Sequence, residues 1–239
     1  MYGDSSTVYQ ESLPDTTVWT KQAIANFGSF YFDHPTYSYY PLVGITLEQA
    51  KKYTEWRTER VTEMILITKK YIKPNPNETA ENHFTIERYF NGNYDWIIVK
   101  SDFVHVPKYK LPNSKEWERI AKGNSTFKYG TDPSTKFNQK VLRKYHYLYN
   151  TQEKFIDEKN KLKDQTELSY YSGKNTNGLY SMIGNVAELV EEEKTKGGSW
   201  KDSLEDISIE ASQPFEQPNC WTGFRNVSKW ELRKVNKSF

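Results

Sequence analysis

Between residues 46 and 70 the apolar side chains recur at steps of three or four, and this spacing predicts a long amphipathic helix. A capping box opens the helix, because the Thr46 hydroxyl can accept from the third helical amide while Gln49 reaches back to the Thr46 amide. The proline- and asparagine-rich run over 73–77 ends it. The side chains expected to face the core are Ala50, Tyr53, Trp56 or Arg57, Val61, Met64 and Ile65.

A second, shorter helix is predicted near the middle of the chain. Asn113 and Glu116 form its capping box, Trp117 and Ile120 give it a buried face, and Gly123 ends it. The other apolar runs are short and bounded by turn residues, which is typical of strands. Extended segments are expected at 15–19, 27–32, 41–45 and 96–99, with a further helix over 78–90 and a turn at 91–93.

Two polar stretches, 71–107 and 124–172, are interpreted as excursions from this framework, and the second has a lysine-rich centre. From residue 175 onward, glycines punctuate short strand-like runs. The chain shows no internal repeat. The pattern therefore predicts one α+β domain over 1–239 with two main helices, short twisted strands and long loops.

Composition narrows the class of protein. Aromatic residues make up 15% of the chain, which argues against a parallel α/β sheet, because the central strands of such sheets are runs of Val, Ile and Leu. A net charge of +2 gives no basic excess, so no nucleic-acid partner is expected. No apolar run is long enough to predict a transmembrane segment. The N-terminus carries no basic and apolar leader, so no signal peptide is expected within this sequence.

Five motifs stand in the order that they have in one known family. The family's PVVGVSWEDA, LPTEAEWE, NGLYDMxGNVWE, GGSW and GFR are matched by Pro41–Ala50, Leu111–Glu118, Asn177–Glu188, Gly197–Trp200 and Gly223–Arg225. The chain thus resembles the formylglycine-generating enzyme (FGE-sulfatase, or sulfatase-modifying factor) family over a core of about 41–227. The resemblance implies a fold of the C-type-lectin type.

Further matches resemble one branch, the gliding-motility lipoproteins associated with type IX secretion. They are His34–Tyr37, Arg57–Val61, Val106–Pro112 and Lys196–Asp202. Members of that branch are envelope proteins whose formylglycine-enzyme-like domain has no known catalysis. The resemblance implies a bacterial envelope location, in the periplasm or at the outer membrane, with envelope proteins as partners. It also implies a lipid anchor if the N-terminus has been trimmed.

The family's oxidase holds copper(I) with two cysteine thiolates, soft ligands that select this metal. The resemblance places these two cysteines at Asp202 and Ile207. Since an aspartate is a hard ligand and an isoleucine is no ligand, neither copper nor catalysis is expected. The single cysteine, Cys220, lies elsewhere and is expected to be a small buried side chain.

Histidine chemistry is not expected either. A sister branch of the family holds non-haem iron with three histidines, some from an added helical domain. The four histidines of this chain are scattered and show no zinc-helix spacing. They are His34, His83, His105 and His146, and His34 is expected to be a structural loop residue.

Calcium is the one candidate cofactor. The family binds this ion beside the GNVWE turn through a side chain, two backbone carbonyls and the glutamate. The resemblance maps these ligands onto Ser181, Gly184, Val186 and Glu188. Calcium favours six to eight hard oxygens, and Ser181 stands where the family has a stronger ligand. The alternative for Glu188 is a solvated acidic turn.

The remaining motif residues have structural interpretations. Positive φ or close backbone approach is expected at Gly178, Gly184, Gly197 and Gly198. Burial in the core is expected for Trp200, Trp221 and Phe224, and Arg225 is expected to bond loop carbonyls. The alternative is a ligand groove lined by Trp200, Asp202, Trp221 and Arg225.

The resulting hypothesis is a non-catalytic structural or protein-interaction subunit of a bacterial envelope complex, with partner contacts on the two excursions. One alternative is a lectin-like module that binds a carbohydrate or small ligand in the groove. A second alternative is a degenerate oxidase.

Overall fold

The computed structural model describes residues 7–21, 30–98, 102–123, 149–152, 166–171, 174–175, 177–203 and 206–236. Its helices are α1 Thr7–Ser12, α2 Val18–Lys21, α3 Phe30–Asp33, α4 Leu47–Thr68, α5 Ile86–Phe90 and α6 Ser114–Lys122. Its strands are β1 Phe103–Lys110, β2 Ala187–Leu189, β3 Lys194–Lys196, β4 Gln213–Pro214, β5 Thr222–Phe224 and β6 Val227–Lys234. Helices and strands follow one another in blocks, which is the predicted α+β architecture.

The chain divides into two compact units. The first comprises Met1–Leu13, Glu48–Lys110 and Asn226–Phe239, and the second comprises Pro14–Leu47 and Leu111–Arg225. Each has its own cluster of buried apolar side chains. The expectation of one domain over the whole chain stays a prediction.

In the first unit, α4 confirms the long helix predicted after Thr46, but a different stripe of it is buried. Besides Leu47 in the first turn, the buried positions are spaced by multiples of four residues: Ala50, Thr54, Thr62 and Leu66. Three side chains predicted to face the core are exposed: Tyr53, Trp56 and Met64. Threonine suits the buried stripe because its hydroxyl can bond within the helix, as Thr54 Oγ1 does to the Lys51 carbonyl oxygen at 2.8 Å.

Strands β1 and β6 form an antiparallel ribbon in which Phe103 pairs with Lys234 and Lys110 pairs with Val227. Apolar alternation does not predict these strands, because β6 contains no buried residue and a proline interrupts β1. A hydrogen bond of 2.9 Å from the Tyr109 amide to Thr58 Oγ1 ties the ribbon to α4.

The segment after α4 supplies much of the core of the first unit. Phe84, Tyr89, Phe90 and Tyr94 are buried, and ring centroids of neighbouring pairs lie 5.2–6.3 Å apart. The interpretation of 71–107 as an excursion therefore fails for these four residues, which belong to the core. Aromatic side chains, which bury large areas, make a polar-looking segment into a core.

Local predictions in this segment hold in part. The helix expected over 78–90 is confined to α5, which Thr85 caps by accepting from the Arg88 amide at 3.1 Å. The turn at 91–93 is confirmed. The strand expected at 96–99 is reduced, in its described part, to an isolated bridge between Ile97 and Ile72.

The second unit contains a four-stranded sheet in the order β4-β3-β2-β5. Strands β2 and β5 are parallel, and the other two pairs are antiparallel. Helix α6 confirms the predicted capping box of Asn113 and Glu116, and Gly123 ends it with φ 57°. Trp117 is buried against Met182, and Ile120 is half-buried.

The predicted extended segments at the start of this unit are wrong in their described parts. Residues 18–21 and 30–33 are the short helices α2 and α3, and 41–45 forms no strand, although Val43 and Ile45 are buried. Short apolar runs suit a buried helical turn as well as a strand, since length alone does not distinguish them. Of the second predicted excursion, residues 124–148, 153–165 and 172 lie outside the described part of the chain.

Candidate functional site

The turn-rich segment from Asn177 to Glu188 carries the family-like GNV motif. Gly178 and Gly184 have φ 82° and 75°, as predicted, and Ser181 and Asn185 share the left-handed region with φ 51° and 66°. Glycine is required at 184, because a Cβ atom there would lie 2.5 Å from the Asn150 carbonyl oxygen. These turns lead directly into strand β2, which contains Glu188.

The Glu188 carboxylate is 5% exposed and is held from two sides. Arg225 Nη2 donates to Oε1 at 2.7 Å, and Arg225 Nε lies 3.1 Å from each oxygen. Trp117 Nε1 donates to Oε2 at 2.8 Å. The nearby carboxylate raises the pKa of Arg225, so the guanidinium stays charged. Arg225 also donates to the Tyr180 carbonyl oxygen at 2.9 Å, so the expected bond to a loop carbonyl is confirmed beside a stronger ionic partner.

A second buried charge pair lies next to this one. Lys196 is 2% exposed and pairs with Glu188 in the register of β3 and β2, so their side chains share a face of the sheet. Lys196 Nζ donates to Glu118 Oε1 at 2.8 Å and to the Glu210 carbonyl oxygen at 2.9 Å. It also lies 5.8 Å from the Trp117 ring centroid. The buried Glu188 carboxylate and the buried Lys196 ammonium are thereby each neutralised, as burial requires.

Of the residues proposed as calcium ligands, Glu188 has its carboxylate already engaged. Both oxygens of Glu188 accept from Arg225 and Trp117, so a dication there would face a guanidinium. Ser181 Oγ donates to the Ser169 carbonyl oxygen at 3.3 Å. The amide of Gly184 donates to Gly197, and Val186 is packed in the apolar core. An arginine already supplies positive charge to Glu188, and calcium at these four residues stays a prediction.

The positions that match the family's copper-binding cysteines are both engaged in packing. Asp202 Oδ2 accepts from the Ser199 amide and hydroxyl, each at 2.8 Å, and so closes a turn. Ile207 is 5% exposed and lies where a side chain on Gly198 would have to go. Gly197 and Gly198 have φ 84° and 63°, as predicted. Cys220 is fully buried, which confirms its expected packing role.

The described histidines do not converge. His34 Nδ1 accepts from the Thr36 amide at 3.2 Å and caps a 3₁₀ turn, which confirms its structural role. His83 bonds the Ala80 carbonyl oxygen at 2.8 Å, and His105 is exposed on β1. His146 lies outside the described residues. Within the described part of the chain, no three His, Cys, Asp or Glu side chains are grouped so that they could hold a metal ion.

The predicted ligand groove is not formed by its four residues. Trp200 is 1% exposed and donates to the Cys220 carbonyl oxygen at 3.4 Å, so it belongs to the core. Asp202 and Arg225 are held as described above. Trp221 is half-buried, and Lys201 Nζ lies 3.8 Å from its ring centroid. Of the four, Trp221 lines a cavity.

This cavity has a volume of about 410 Å³ and lies within the second unit. Its wall includes residues of β4, of the β4–β5 connection and of the segment before α2, among them Asp15, Gln213, Glu216, Gln217, Asn219 and Trp221. Sequence analysis missed it, because these residues form no recognisable motif. Asp15, more than 190 positions from Glu216 in the sequence, reaches the site through a 2.7 Å hydrogen bond from its amide to the Gly44 carbonyl oxygen.

Sequence analysis also missed the buried pair of Lys196 and Glu118. A signal was present, since Lys196 stands immediately before the GGSW motif, where the family has an arginine. A cation beside this glycine turn could have been assigned to a carboxylate on helix α6, where Glu118 lies.

The family profile of the sulfatase-modifying factor enzyme 1-like domain (FGE-sulfatase) matches residues 8–230. The chain therefore belongs to this family. No curated protein matches it.

Two solved structures are similar. One is Treponema denticola variable protein 1, with 16% identity, a TM-score of 0.45, and coverage of 81% of this chain and 73% of that chain. The other is a crystal structure of CarF, with 15% identity, a TM-score of 0.37, and coverage of 85% and 70%. Likeness at this level identifies no function. No helix in the described part of the chain is long and apolar enough to cross a membrane.

Proposed function

We propose that this chain is a non-catalytic FGE-sulfatase domain of the C-type-lectin type. It serves as a structural and protein-interaction subunit of a bacterial envelope complex, of the kind found in gliding motility and type IX secretion. The observation that carries the proposal is the pair Asp202 and Ile207 at the positions of the family's thiolates.

The packing of these two residues supports the loss of oxidase chemistry. Ile207 fills the space over Gly198, and Asp202 satisfies the Ser199 amide and hydroxyl, so each has a role in the fold. Copper(I) prefers thiolate and thioether ligands, and this pair supplies neither. Restoring the two cysteines would also open a space beside Gly198.

A surface of the first unit supports an interaction role. Phe103, Trp230 and Leu232 are 54–59% exposed, and the pairing register places them on one face of the β1–β6 ribbon. Clustered exposed apolar side chains mark contact surfaces more often than scattered ones do. We name this set the ribbon face. It adds a partner surface to the two excursions, and one of its members, Phe103, lies within the first excursion, 71–107.

Peptide oxidation tests the first half of the proposal. The protein is incubated with a cysteine-containing sulfatase peptide, with and without copper(I), and formylglycine is measured by mass spectrometry. No conversion is expected. Copper-dependent turnover would contradict the proposal and favour a degenerate oxidase.

Partner capture tests the second half. The Trp230→Ser/Leu232→Ser variant is expected to lose a specific partner that the wild-type protein retains from native envelope extracts. Phe30→Ser is the matched control, because Phe30 is 67% exposed and lies outside the ribbon face and both excursions. Equal capture by both variants would remove the ribbon face from the proposal. Fractionation of the native protein tests the envelope location and any lipid anchor.

A further inference from the structure

We infer that the outer edge of β6 binds an extended acidic segment of another protein by strand addition. In the described part of the chain the β1–β6 ribbon has only two strands, so each strand has one edge without a neighbouring strand. The backbone N–H and C=O groups along such an edge can pair with a further strand. The inference rests on the interaction role proposed above, and it adds how the partner binds and what kind of segment the partner presents.

Two hydrogen bonds show which backbone groups of the ribbon point outward. The Val235 amide donates to the Asp102 carbonyl oxygen at 3.0 Å, so Val235 bonds across the ribbon. The Tyr109 amide donates instead to Thr58 Oγ1, so it points away from β6. Because bonded and non-bonded pairs alternate in an antiparallel ladder, every second residue of β6 also points its amide and carbonyl outward. The outward residues are Ser228, Trp230, Leu232 and Lys234.

This edge of β6 is open. In the described part of the chain, no group bonds the amides or carbonyl oxygens of its four outward residues. Their side chains are all exposed, so no other segment lies over them. The edge of β1 is less suited to an added strand, because Pro107 has no amide hydrogen and Thr58 already occupies the Tyr109 amide. The free backbone groups therefore point to β6 as the docking strand.

The charges of β6 favour an acidic partner. Lys229 and Arg233 are exposed on the same face of the strand, and Lys108 lies directly opposite Lys229 in the register. Like charges at opposite positions of a ribbon repel each other. A carboxylate on an added strand would lie beside these cations and offset that repulsion. Glu231 stands between Lys229 and Arg233, so a neutral residue suits the position beside it.

The other face of β6 favours apolar residues. Trp230 and Leu232 are exposed there and belong to the ribbon face. An added strand places its side chains alternately on the two faces, beside those of its neighbour. The partner segment is therefore expected to carry apolar residues beside Trp230 and Leu232. Acidic residues are expected beside Lys229 and Arg233, with a neutral residue between them.

A second copy of this chain is a poorer occupant of the edge. Three of the eight residues of β6 are basic and one is acidic, so two paired copies would bring one basic strand against another. Charged residues on an edge strand, lysine above all, commonly protect it from self-association in this way. The same charges attract an acidic segment.

Binding is tested with a synthetic peptide of the expected pattern, Ser-Glu-Val-Thr-Ile-Glu-Ser, acetylated and amidated at its ends. Its order of charged and apolar residues is the same in both directions, so it fits a parallel or an antiparallel strand. The full-length wild-type protein is expected to bind it with a Kd below about 1 mM, measured by calorimetry or fluorescence anisotropy. The affinity should fall as salt is added, because the charged groups are exposed.

Two N-methylated forms of the peptide separate strand addition from contact through side chains alone. Each form blocks one alternate set of amides. Only every second amide of an added strand faces its neighbour, so one form should lose at least about tenfold in affinity. The other form should bind within about threefold of the parent peptide.

Charge reversal locates the site. Lys229→Glu should weaken binding of the acidic peptide at least about tenfold, and it should strengthen binding of a peptide with lysines in place of the two glutamates. Lys69→Glu is the matched control, because Lys69 is an exposed lysine just after α4 in the same unit. This control should leave both affinities unchanged.

Several outcomes would overturn the inference: no binding of the acidic peptide, equal effects of the two methylated forms, or tighter binding of the lysine peptide by the wild-type protein. Binding of phosphatidylglycerol vesicles without binding of the peptide would identify a lipid contact and overturn it as well. Partner capture tests the proposed function separately. A partner lost by Trp230→Ser/Leu232→Ser, together with equal effects of the methylated forms, would keep the interaction role and reject strand addition.

Discussion

The two units of this protein are stabilised by different kinds of interaction. The first relies on aromatic and aliphatic packing, and it tolerates buried hydroxyls with no partner in the described part of the chain, at Thr62, Tyr89 and Tyr94. The second relies on glycines that admit close backbone approach and on buried charge pairs such as Glu188 with Arg225. Removal of buried apolar side chains should therefore destabilise the first unit, and removal of one partner of a buried charge pair should destabilise the second.

The largest effect is expected from deletion of 74–95 with a short linker. The deletion removes Phe84, Tyr89, Phe90 and Tyr94, all of them buried. Truncation of one buried Phe commonly costs about 3–5 kcal/mol, and a domain has only about 5–15 kcal/mol of stability. The first unit is expected to unfold, as measured by circular dichroism and limited proteolysis.

Replacement of the exposed residues 77–81 by a Gly-Ser segment of equal length is the control for this deletion. That change should lower the free energy of unfolding by less than about 2 kcal/mol. A deletion variant with native circular dichroism and cooperative unfolding would mean that the segment is a dispensable excursion after all.

The next effect concerns the second unit. Glu188→Ala leaves Arg225 and the Trp117 indole without their buried acceptor, so the free energy of unfolding in urea should fall by about 3–5 kcal/mol. Glu193→Ala, at an exposed acidic position nearby, should have little effect. The paired change Glu188→Leu/Arg225→Met should recover part of the loss, because no charge is then left buried alone.

Calcium provides a second readout for the same carboxylate. Because Arg225 neutralises Glu188, the unfolding midpoint of the wild-type protein should be the same in calcium and in EDTA. A bound ion would instead raise it in proportion to its occupancy. A calcium-dependent midpoint that Glu188→Ala abolishes would reverse the assignment made above.

The same contrast explains what the sequence predicts well. Four of the five family motifs lie within the second unit, and there the glycines, the α6 capping box and the burial of Trp200 are as predicted. These features are local, since a positive φ or a cap depends on a few neighbouring residues.

The sequence-based predictions fail where contacts between residues far apart in the sequence determine which side chains are buried and which segments form strands. The buried stripe of α4 contains Thr54 and Thr62 rather than Trp56, and β6 is a strand only because β1 pairs with it. The Glu188–Arg225 pair joins residues that are 37 positions apart, and the cavity joins Asp15 to Glu216. Neither can be derived from spacing, because side chains on separate segments meet only through the tertiary fold.

The smallest effect tests the tolerance of the first unit for unpartnered hydroxyls. In the described part of the chain the buried Tyr94 hydroxyl has no hydrogen-bond partner, and burial, reinforced by the negative charge of Glu63, raises the pKa of Tyr94 to about 12. The unfolded chain loses this proton near pH 10, so above that value it binds fewer protons than the folded protein, and stability falls as pH rises. Tyr94→Phe should remove this part of the slope between about pH 10 and 12. Near pH 7 it should change the free energy of unfolding by no more than about 1 kcal/mol, because no hydrogen bond is lost.

The exposed Tyr171→Phe variant is the control, and urea unfolding at each pH is the measurement. A loss of several kcal/mol at neutral pH would mean that the Tyr94 hydroxyl has a partner, and that the first unit does not tolerate an unpartnered hydroxyl at this position.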